Sequence, residues 1–187
     1  MSVTLVTGGV RSGKSRYAES LLAGLSDVTY VATGAVGGDV DWTDRVAAHR
    51  ARRPRTWTTL ETLDLAPVLD TTGGPVLLDC LGTWVTGLVD RADLWGDLPG
   101  ARSLVRAAGQ GLVEALGATR RNTVVVTNEV GWSLVPDVPS GRFFQDELGR
   151  LNAEVAAVAD RVVLMVAGRV VELPPAPPVA VGPAEPA

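Results

Sequence analysis

The chain has 187 residues, a net charge of −4 and a single cysteine, Cys80. This length suits one domain that buries about 70% of its unfolded surface. The negative charge argues against broad nucleic-acid binding, and one cysteine excludes an internal disulfide framework or a cysteine metal cluster. No apolar stretch approaches the ~20 residues that span a bilayer, and no signal peptide pattern is present. The sequence therefore predicts a cytoplasmic protein.

Apolar, β-branched runs alternate with helical patterns along the chain. Strands are predicted at 3–7, 28–32, 76–78, 123–127, 161–166 and 170–173, and helices at 14–24, 43–52, 101–116 and 143–159. This alternation predicts an α/β fold, a mostly parallel sheet flanked by helices that resembles RecA-like P-loop proteins. Ala167-Gly168-Arg169 predicts a tight hairpin and an antiparallel C-terminal edge strand. We expect one catalytic domain over 1–173 and a proline-rich disordered tail over 174–187.

A phosphate-binding motif follows the first predicted strand. The run Gly8-Gly9-Val10-Arg11-Ser12-Gly13-Lys14-Ser15 matches G-x-x-x-x-G-K-S between a buried strand and a helix. Lys14 is the only lysine among 17 basic side chains, which suggests a position that needs a compact ammonium. Lys14 would bridge the β- and γ-phosphates and Ser15 would ligate Mg²⁺. The motif predicts a nucleoside triphosphate site but does not identify the reaction.

Polar residues end two further predicted strands. Asp79 closes the apolar run at 76–78 in the manner of a Walker B strand, and it would hold Mg²⁺ directly or through water. Alternatively, Asp79 caps the following 81–84 segment, and both roles could coexist. Asn128 and Glu129 end the strand at 123–127 and should reach the same edge of the sheet. An active-site role for them is expected, but its nature is open.

His49 is the only histidine, and it lies in an arginine-rich stretch at 45–55. A neutral imidazole can attack phosphorus near neutral pH, and neighbouring guanidiniums can hold the oxygens of the attacked phosphate. The same stretch could instead be a solvated helix face paired with the acidic residues Asp39, Asp41 and Asp44. The spacing of these residues does not decide whether the stretch is a nucleotidyl-transfer site or a solvated helix face.

Taken together, these segments resemble the bifunctional adenosylcobinamide kinase and adenosylcobinamide-phosphate guanylyltransferase family of cobalamin biosynthesis. The resemblance covers 1 to about 173, and the Thr-Asn-Glu-Val-Gly and Gly-Arg-x-Asn segments are its most particular parts. The matching segments are 7–16, 30–33, 57–61, 77–80, 126–131, 142–146 and 149–152, together with His49, Arg53-Pro54 and Val135-Pro136.

The resemblance implies two reactions on a corrinoid substrate. ATP or GTP bound at the phosphate loop would phosphorylate adenosylcobinamide with the help of Mg²⁺. His49 would then take GMP from GTP as a phosphoramidate and pass it to adenosylcobinamide phosphate, giving adenosylcobinamide-GDP. The family implies guanine-nucleotide contacts from Thr33, Gly34, Ala35, Arg50, Ala51, Arg52, Arg53, Glu61 and Asp79. It also implies a homo-oligomer, with a trimer as the expected form.

The chain departs from the family pattern at three positions. Ala48 stands where a histidine doublet is common, Trp132-Ser133 follows Gly131 where a second glycine is common, and Asp79 stands where Glu is common. The first change leaves His49 as the sole candidate nucleophile. Two other functions stay open at this point: a single-activity small-molecule P-loop kinase, and a RecA-like nucleotide switch that binds a macromolecular partner.

Overall fold

The structure is a computed structural model, and it describes residues 1–34 and 53–175. Its strands are β1 (Val3–Gly8), β2 (Thr29–Ala32), β3 (Thr58–Glu61), β4 (Val76–Asp79), β5 (Thr123–Val126), β6 (Arg161–Val166) and β7 (Arg169–Leu173). Its helices are α1 (Lys14–Leu21), α2 (Leu65–Asp70), α3 (Leu81–Arg91), α4 (Leu98–Ala118) and α5 (Pro139–Val158). The helix predicted at 43–52 and most of the predicted tail lie outside the described residues.

One seven-stranded sheet, in the order β3-β2-β4-β5-β1-β6-β7, organises the chain. All neighbouring strands are parallel except the last pair, β6 and β7. The turn between these two strands consists of Ala167 and Gly168, both with positive φ, as a two-residue hairpin turn requires. The predicted α/β fold and its antiparallel C-terminal strand are therefore confirmed.

The two faces of the sheet carry separate apolar cores. One core packs α2, α3, α4 and α5 against residues such as Leu5, Val31 and Leu78. The other packs α1 and the buried Trp57 against residues such as Val6 and Leu77. Since successive residues of a strand point to opposite faces, the side chains of Tyr30 and Asp79 lie on the same face as α1.

Three elements were missed from the sequence. Strand β3 is exposed at all four residues and forms the edge of the sheet, so it has no apolar run. Helix α2 has only six residues and contains Pro67. Helix α3 begins Leu81-Gly82-Thr83 and has Cys80, not Asp79, as its N-cap residue. Glycine and β-branched residues weaken the helical signal there, while burial against the sheet stabilises the helix.

Candidate active site

The predicted phosphate loop joins β1 to α1. Gly8 lies so close to β6 that an added Cβ would meet the carbonyl oxygen of Met165 at 2.6 Å. Gly13 has a φ of 96° at the N-cap of α1, a conformation that glycine adopts at little cost. These two glycines allow the chain to turn tightly from the strand into the helix. The loop thus directs backbone N–H groups and the positive end of α1 to one point.

Two buried polar side chains line this loop. Lys14 is buried, and its Nζ donates a hydrogen bond to the carbonyl oxygen of Gly9 over 3.2 Å. Ser12 is also buried, and its Oγ has no hydrogen-bond partner within the described part of the chain. A buried hydroxyl without a partner costs free energy. A phosphate oxygen in the loop would satisfy it.

Asp79 is the last residue of β4 and its carboxylate faces the start of α1. Ser15 Oγ donates to Asp79 Oδ1 over 3.4 Å, and the Tyr30 hydroxyl donates to Asp79 Oδ2 over 2.7 Å. Burial, reinforced by the charge of Asp79, raises the pKa of Tyr30 far above its usual value. The phenol is therefore protonated and serves as a donor. Asp79 does not cap α3, because Cys80 is the N-cap residue of that helix.

These residues fit a magnesium site that is completed by a nucleotide. Mg²⁺ is usually bound by one or two carboxylates together with substrate phosphates, rather than by a cage made only of protein side chains. Ser15 and Asp79 supply one hydroxyl and one carboxylate beside the phosphate loop. Among the described residues no group of three or more His, Cys, Asp and Glu side chains could hold a metal ion.

Arg53 lies over Tyr30 on the same side of the sheet. Its guanidinium carbon is 3.3 Å from the centre of the Tyr30 ring, and its Nη1 donates to Thr59 Oγ1 over 3.1 Å. Thr59 pairs with Tyr30 in the β2–β3 register, so Arg53 covers two neighbouring residues of the sheet. Its Nε is buried and lacks a hydrogen-bond partner among residues 1–34 and 53–175.

Three more of the predicted nucleotide contacts, Thr33, Gly34 and Glu61, lie at the carboxyl edge of the sheet. Glu61 pairs with Ala32, and Ala32 pairs with Asp79, so Glu61 ends the exposed edge strand in the same row as Asp79. Thr33 is buried, and its hydroxyl donates to the carbonyl oxygen of Cys80 over 2.7 Å. The Thr33 side chain is thus committed to joining the ends of β2 and β4. Gly34 follows it and is half-buried.

Asn128 and Glu129 follow β5, which separates β4 from β1. Glu129 donates its backbone N–H to the carbonyl oxygen of Gly8 over 3.1 Å, and its carboxylate accepts from Thr7 Oγ1 over 3.2 Å. Asn152 of α5 donates from Nδ2 to the carbonyl oxygen of Asn128 over 2.9 Å. Glu129 is therefore held at the end of β1, where the phosphate loop begins, while Asn128 is held by α5 at the end of β5.

The segment after Glu129 presents apolar side chains to solvent. Trp132 is 74% exposed and Leu134 is 92% exposed. Helix α5 braces this segment, because Gln145 Nε2 donates to the carbonyl oxygen of Val130 and Arg142 Nη1 donates to that of Pro136. Exposed apolar side chains on a braced segment are typical of a surface that binds another molecule.

Several predicted site residues fall outside the described part of the chain, namely Ala35, His49, Arg50, Ala51 and Arg52. Two residues at the site were in turn not predicted to act there, Tyr30 and Asn152. Tyr30 could have been suspected as a polar side chain in a buried strand. Asn152 belongs to a segment that sequence analysis had already noted, but its contact with Asn128 required the three-dimensional structure.

Comparison with known proteins settles the family. A family model described as cobinamide kinase / cobinamide phosphate guanyltransferase matches residues 4–173. The chain belongs to this family. The match confirms the enzyme class as well: it is a transferase family of cobalamin biosynthesis, as the sequence resemblance predicted.

Relatives in this cobinamide kinase family are similar over nearly their whole length. A bifunctional adenosylcobalamin biosynthesis protein CobU from Escherichia coli is 39% identical over 174 residues, which are 88% of this chain and 95% of the relative. The CobP protein of the same description from Pseudomonas aeruginosa is 42% identical over 170 residues, with 88% and 92% covered.

Solved structures support the P-loop fold of this family member. A type III secretion system ATPase from pathogenic bacteria superposes with a TM-score of 0.51 at 13% identity, over 87% of this chain and 51% of the ATPase. At that identity the similarity concerns the fold alone.

No helix in residues 1–34 or 53–175 is long and apolar enough to cross a membrane.

Proposed function

We propose that this enzyme phosphorylates adenosylcobinamide with ATP or GTP and then transfers GMP from GTP, through a GMP-histidine intermediate, to give adenosylcobinamide-GDP. One observation carries most of the proposal: the hydroxyl of Ser15 and the carboxylate of Asp79 meet beside a loop whose Ser12 hydroxyl has no partner in the described chain. That arrangement suits a bound triphosphate, and family membership supplies the corrinoid acceptor.

In the kinase reaction, residues 8–15 bind and orient the triphosphate. Backbone N–H groups of Gly9, Val10, Arg11 and Gly13 would face the β-phosphate, and the Ser12 hydroxyl would donate to a phosphate oxygen. The Lys14 ammonium, now near the Gly9 carbonyl oxygen, would turn to the β- and γ-phosphates. The acceptor hydroxyl loses its proton to solvent as its oxygen attacks the γ-phosphorus, the bond from that phosphorus to the bridging oxygen breaks, and the nucleoside diphosphate leaves with the bonding electrons.

Ser15 and Asp79 would hold Mg²⁺, either directly or through water in the case of Asp79. When bound, the ion would neutralise charge on the phosphates. The Tyr30 and Ser15 hydroxyls keep the two Asp79 oxygens directed to this position.

In the transferase reaction, a ring nitrogen of His49 would attack the α-phosphorus of GTP and expel pyrophosphate. An oxygen of adenosylcobinamide phosphate would then attack the same phosphorus, and the phosphorus–nitrogen bond would break. His49 is four positions from Arg53. Because a fully extended chain covers at most about 3.6 Å per residue, the Cα atoms of the two residues are at most about 14 Å apart. Arg53 has a buried Nε that lacks a partner in the described chain, which suits an acceptor oxygen of the nucleotide.

We also propose the other nucleotide contacts that the family resemblance implies. Arg50 and Arg52 would neutralise phosphate charge beside Arg53, and Ala35 and Ala51 would contact the guanine nucleotide along the chain. Glu61 would accept hydrogen bonds from the guanine or the ribose, since it shares a row of the sheet with Asp79. Thr33 and Gly34 would contribute through their backbones, because the Thr33 hydroxyl is already bonded to Cys80. A cytoplasmic location is proposed as well, and the family resemblance is the basis for proposing a homo-oligomer, with a trimer as the expected form.

The test is covalent labelling with GTP that carries its label on the α-phosphate. After denaturation at alkaline pH, where a phosphoramidate survives, the wild-type protein should retain label and His49→Ala should retain none. Both proteins should phosphorylate adenosylcobinamide at similar rates with ATP. Label on His49→Ala equal to that on the wild type would overturn the GMP-histidine step. An unlabelled wild type that still phosphorylates would reduce the protein to a single-activity kinase.

A further inference from the structure

Tyr30 contacts two groups that the proposed reactions use in different ways. Its hydroxyl donates to Asp79 Oδ2 over 2.7 Å, and its ring lies 3.3 Å from the Arg53 guanidinium carbon. Tyr30 itself is 2% exposed, so it does not reach bulk solvent. One side chain therefore bridges the carboxylate beside the phosphate loop and the arginine that ends the 50–53 segment.

The hydroxyl contact fixes the orientation of the Asp79 carboxylate. Tyr30 pairs with Leu77 in the β2–β4 register, and Asp79 lies two residues further along the same face. The phenol is long enough to span this diagonal. A phenylalanine at position 30 would pack in the same core but could not donate, and Asp79 would lose a short hydrogen bond to a charged oxygen.

The ring contact holds Arg53 against the sheet. A guanidinium over an aromatic face is attracted by the ring, most strongly where water is excluded. The hydrogen bond from Arg53 Nη1 to Thr59 Oγ1 secures the same position from the neighbouring strand. The charged groups that act on the phenol are Asp79, Arg53 and, from helix α1, Glu19.

We propose that Tyr30 is a positioning residue shared by the two reactions: its hydroxyl orients Asp79 toward the metal–nucleotide complex, and its ring seats Arg53 for GMP transfer. This inference rests on the proposed function. Nothing in it requires Tyr30 to touch the substrate or to change its protonation. Tyrosine is the residue that supplies both a donor and an aromatic face at one position.

Tyr30→Phe isolates the hydroxyl. The measurement is Mn²⁺ binding, followed by electron paramagnetic resonance, to the full-length protein saturated with a non-hydrolysable GTP analogue. Loss of a hydrogen bond to a ligating carboxylate should weaken Mn²⁺ binding on the order of tenfold. The Mg²⁺ concentration for half-maximal kinase activity should rise by a similar factor. At saturating Mg²⁺ the GMP-labelling rate should return to near the wild-type value, because the ring still holds Arg53.

Tyr30→Leu isolates the ring by comparison with Tyr30→Phe. At saturating Mg²⁺ and GTP, its GMP-labelling rate should fall on the order of tenfold below that of Tyr30→Phe. Its kinase rate should fall no further. Tyr17→Phe is the matched control, because Tyr17 is the second tyrosine and accepts a hydrogen bond from Arg161 outside this cluster. It should leave Mn²⁺ binding and both rates unchanged.

The outcomes separate this inference from the proposed function. If the wild type neither phosphorylates adenosylcobinamide nor takes up GMP, the proposed function fails. If the wild type is active and Tyr30→Phe binds Mn²⁺ as tightly as the wild type, the positioning role of the hydroxyl is wrong. A lower melting temperature with unchanged Mn²⁺ affinity would make Tyr30 a purely structural residue. Equal labelling by Tyr30→Leu and Tyr30→Phe would remove the role of the ring.

Discussion

Ser15 and Asp79 meet with 3.4 Å between the hydroxyl oxygen and Oδ1, although they are 64 positions apart in the chain. The sheet makes this contact, since β5 alone separates the strand of Asp79 from the strand that leads into the phosphate loop. The hydroxyl and the carboxylate thus face the same space beside the loop. This arrangement makes the loop a candidate for catalysis as well as for binding.

Lys14→Ala should reduce the kinase turnover with adenosylcobinamide at least about 100-fold, because the variant lacks the buried ammonium that is proposed to turn to the β- and γ-phosphates. Steady-state kinetics at saturating Mg²⁺ would measure the loss. Arg120→Ala, an exposed change at the opposite edge of the sheet, should have no effect. Full kinase activity in Lys14→Ala would remove the lysine from the mechanism.

Trp132→Ala should raise the KM for adenosylcobinamide roughly tenfold, with little change in kcat or in the KM for GTP. The exposed indole offers apolar surface on the segment that follows Glu129, and covering a side chain of this size contributes on the order of 2 kcal/mol. Trp132→Phe should recover most of the affinity. A changed molecular mass in solution, measured by light scattering, with an unaltered KM would assign this surface to contacts between copies of the chain.

Arg106→Leu should destabilise the fold by about 2–3 kcal/mol. Glu147 of α5 is only 1% exposed, and Arg106 of α4 donates to both of its carboxylate oxygens, at 3.0 and 3.1 Å. Arg102 then remains as its charged partner. Denaturant unfolding would measure the change.

Arg150→Leu is the matched control for this change. Arg150 pairs with the partly exposed Glu154 at 3.8 Å, and its loss should cost less than about 0.5 kcal/mol. Equal destabilisation by the two variants would show that the burial of Glu147 adds nothing to the pair.

Glu172→Gln should lower the melting temperature near neutral pH but not in acid. Arg161 holds the pKa of Glu172 below its usual value, chiefly through their hydrogen bond. A depressed pKa in the folded state stabilises the protein above the unfolded pKa, about 4.3, and this contribution is lost as pH falls through the folded pKa. Melting curves of the variant and the wild type should therefore converge as the pH falls below about 4. A constant difference across this range would contradict the assignment.

The sequence revealed the parts of the fold that have strong local signals. The buried apolar runs around Val6, Leu77 and Val125 predicted their strands, and the glycine-lysine motif predicted the loop. Strand β3 was not predicted, because an exposed edge strand needs no apolar run. Helix α3 was not predicted, because its stability comes from packing against the sheet, which a local sequence pattern does not reveal.

The residues of the site likewise divide into those with a local sequence signal and those that depend on long-range packing. The placement of Lys14, Ser15 and Asp79 around the loop could be predicted, since each ends or follows a recognisable run, while their roles stay predictions. The role of Tyr30 could not, because its bond to Asp79 depends on how β2 and β4 are aligned. The nearness of Arg53 to Tyr30 likewise depends on the β2–β3 register. Long-range pairing of this kind leaves no trace in residue spacing.

The phosphate loop lies near the start of the chain, yet the contacts that shape it come from the end. Strand β1 pairs with β5 and β6, Val3 N–H donates to Asp160, and Gly8 lies against Met165. During synthesis from the N-terminus, these partners emerge long after β1, and such long-range pairing is slow to form. The nascent chain therefore cannot complete its nucleotide site until β6 has left the ribosome.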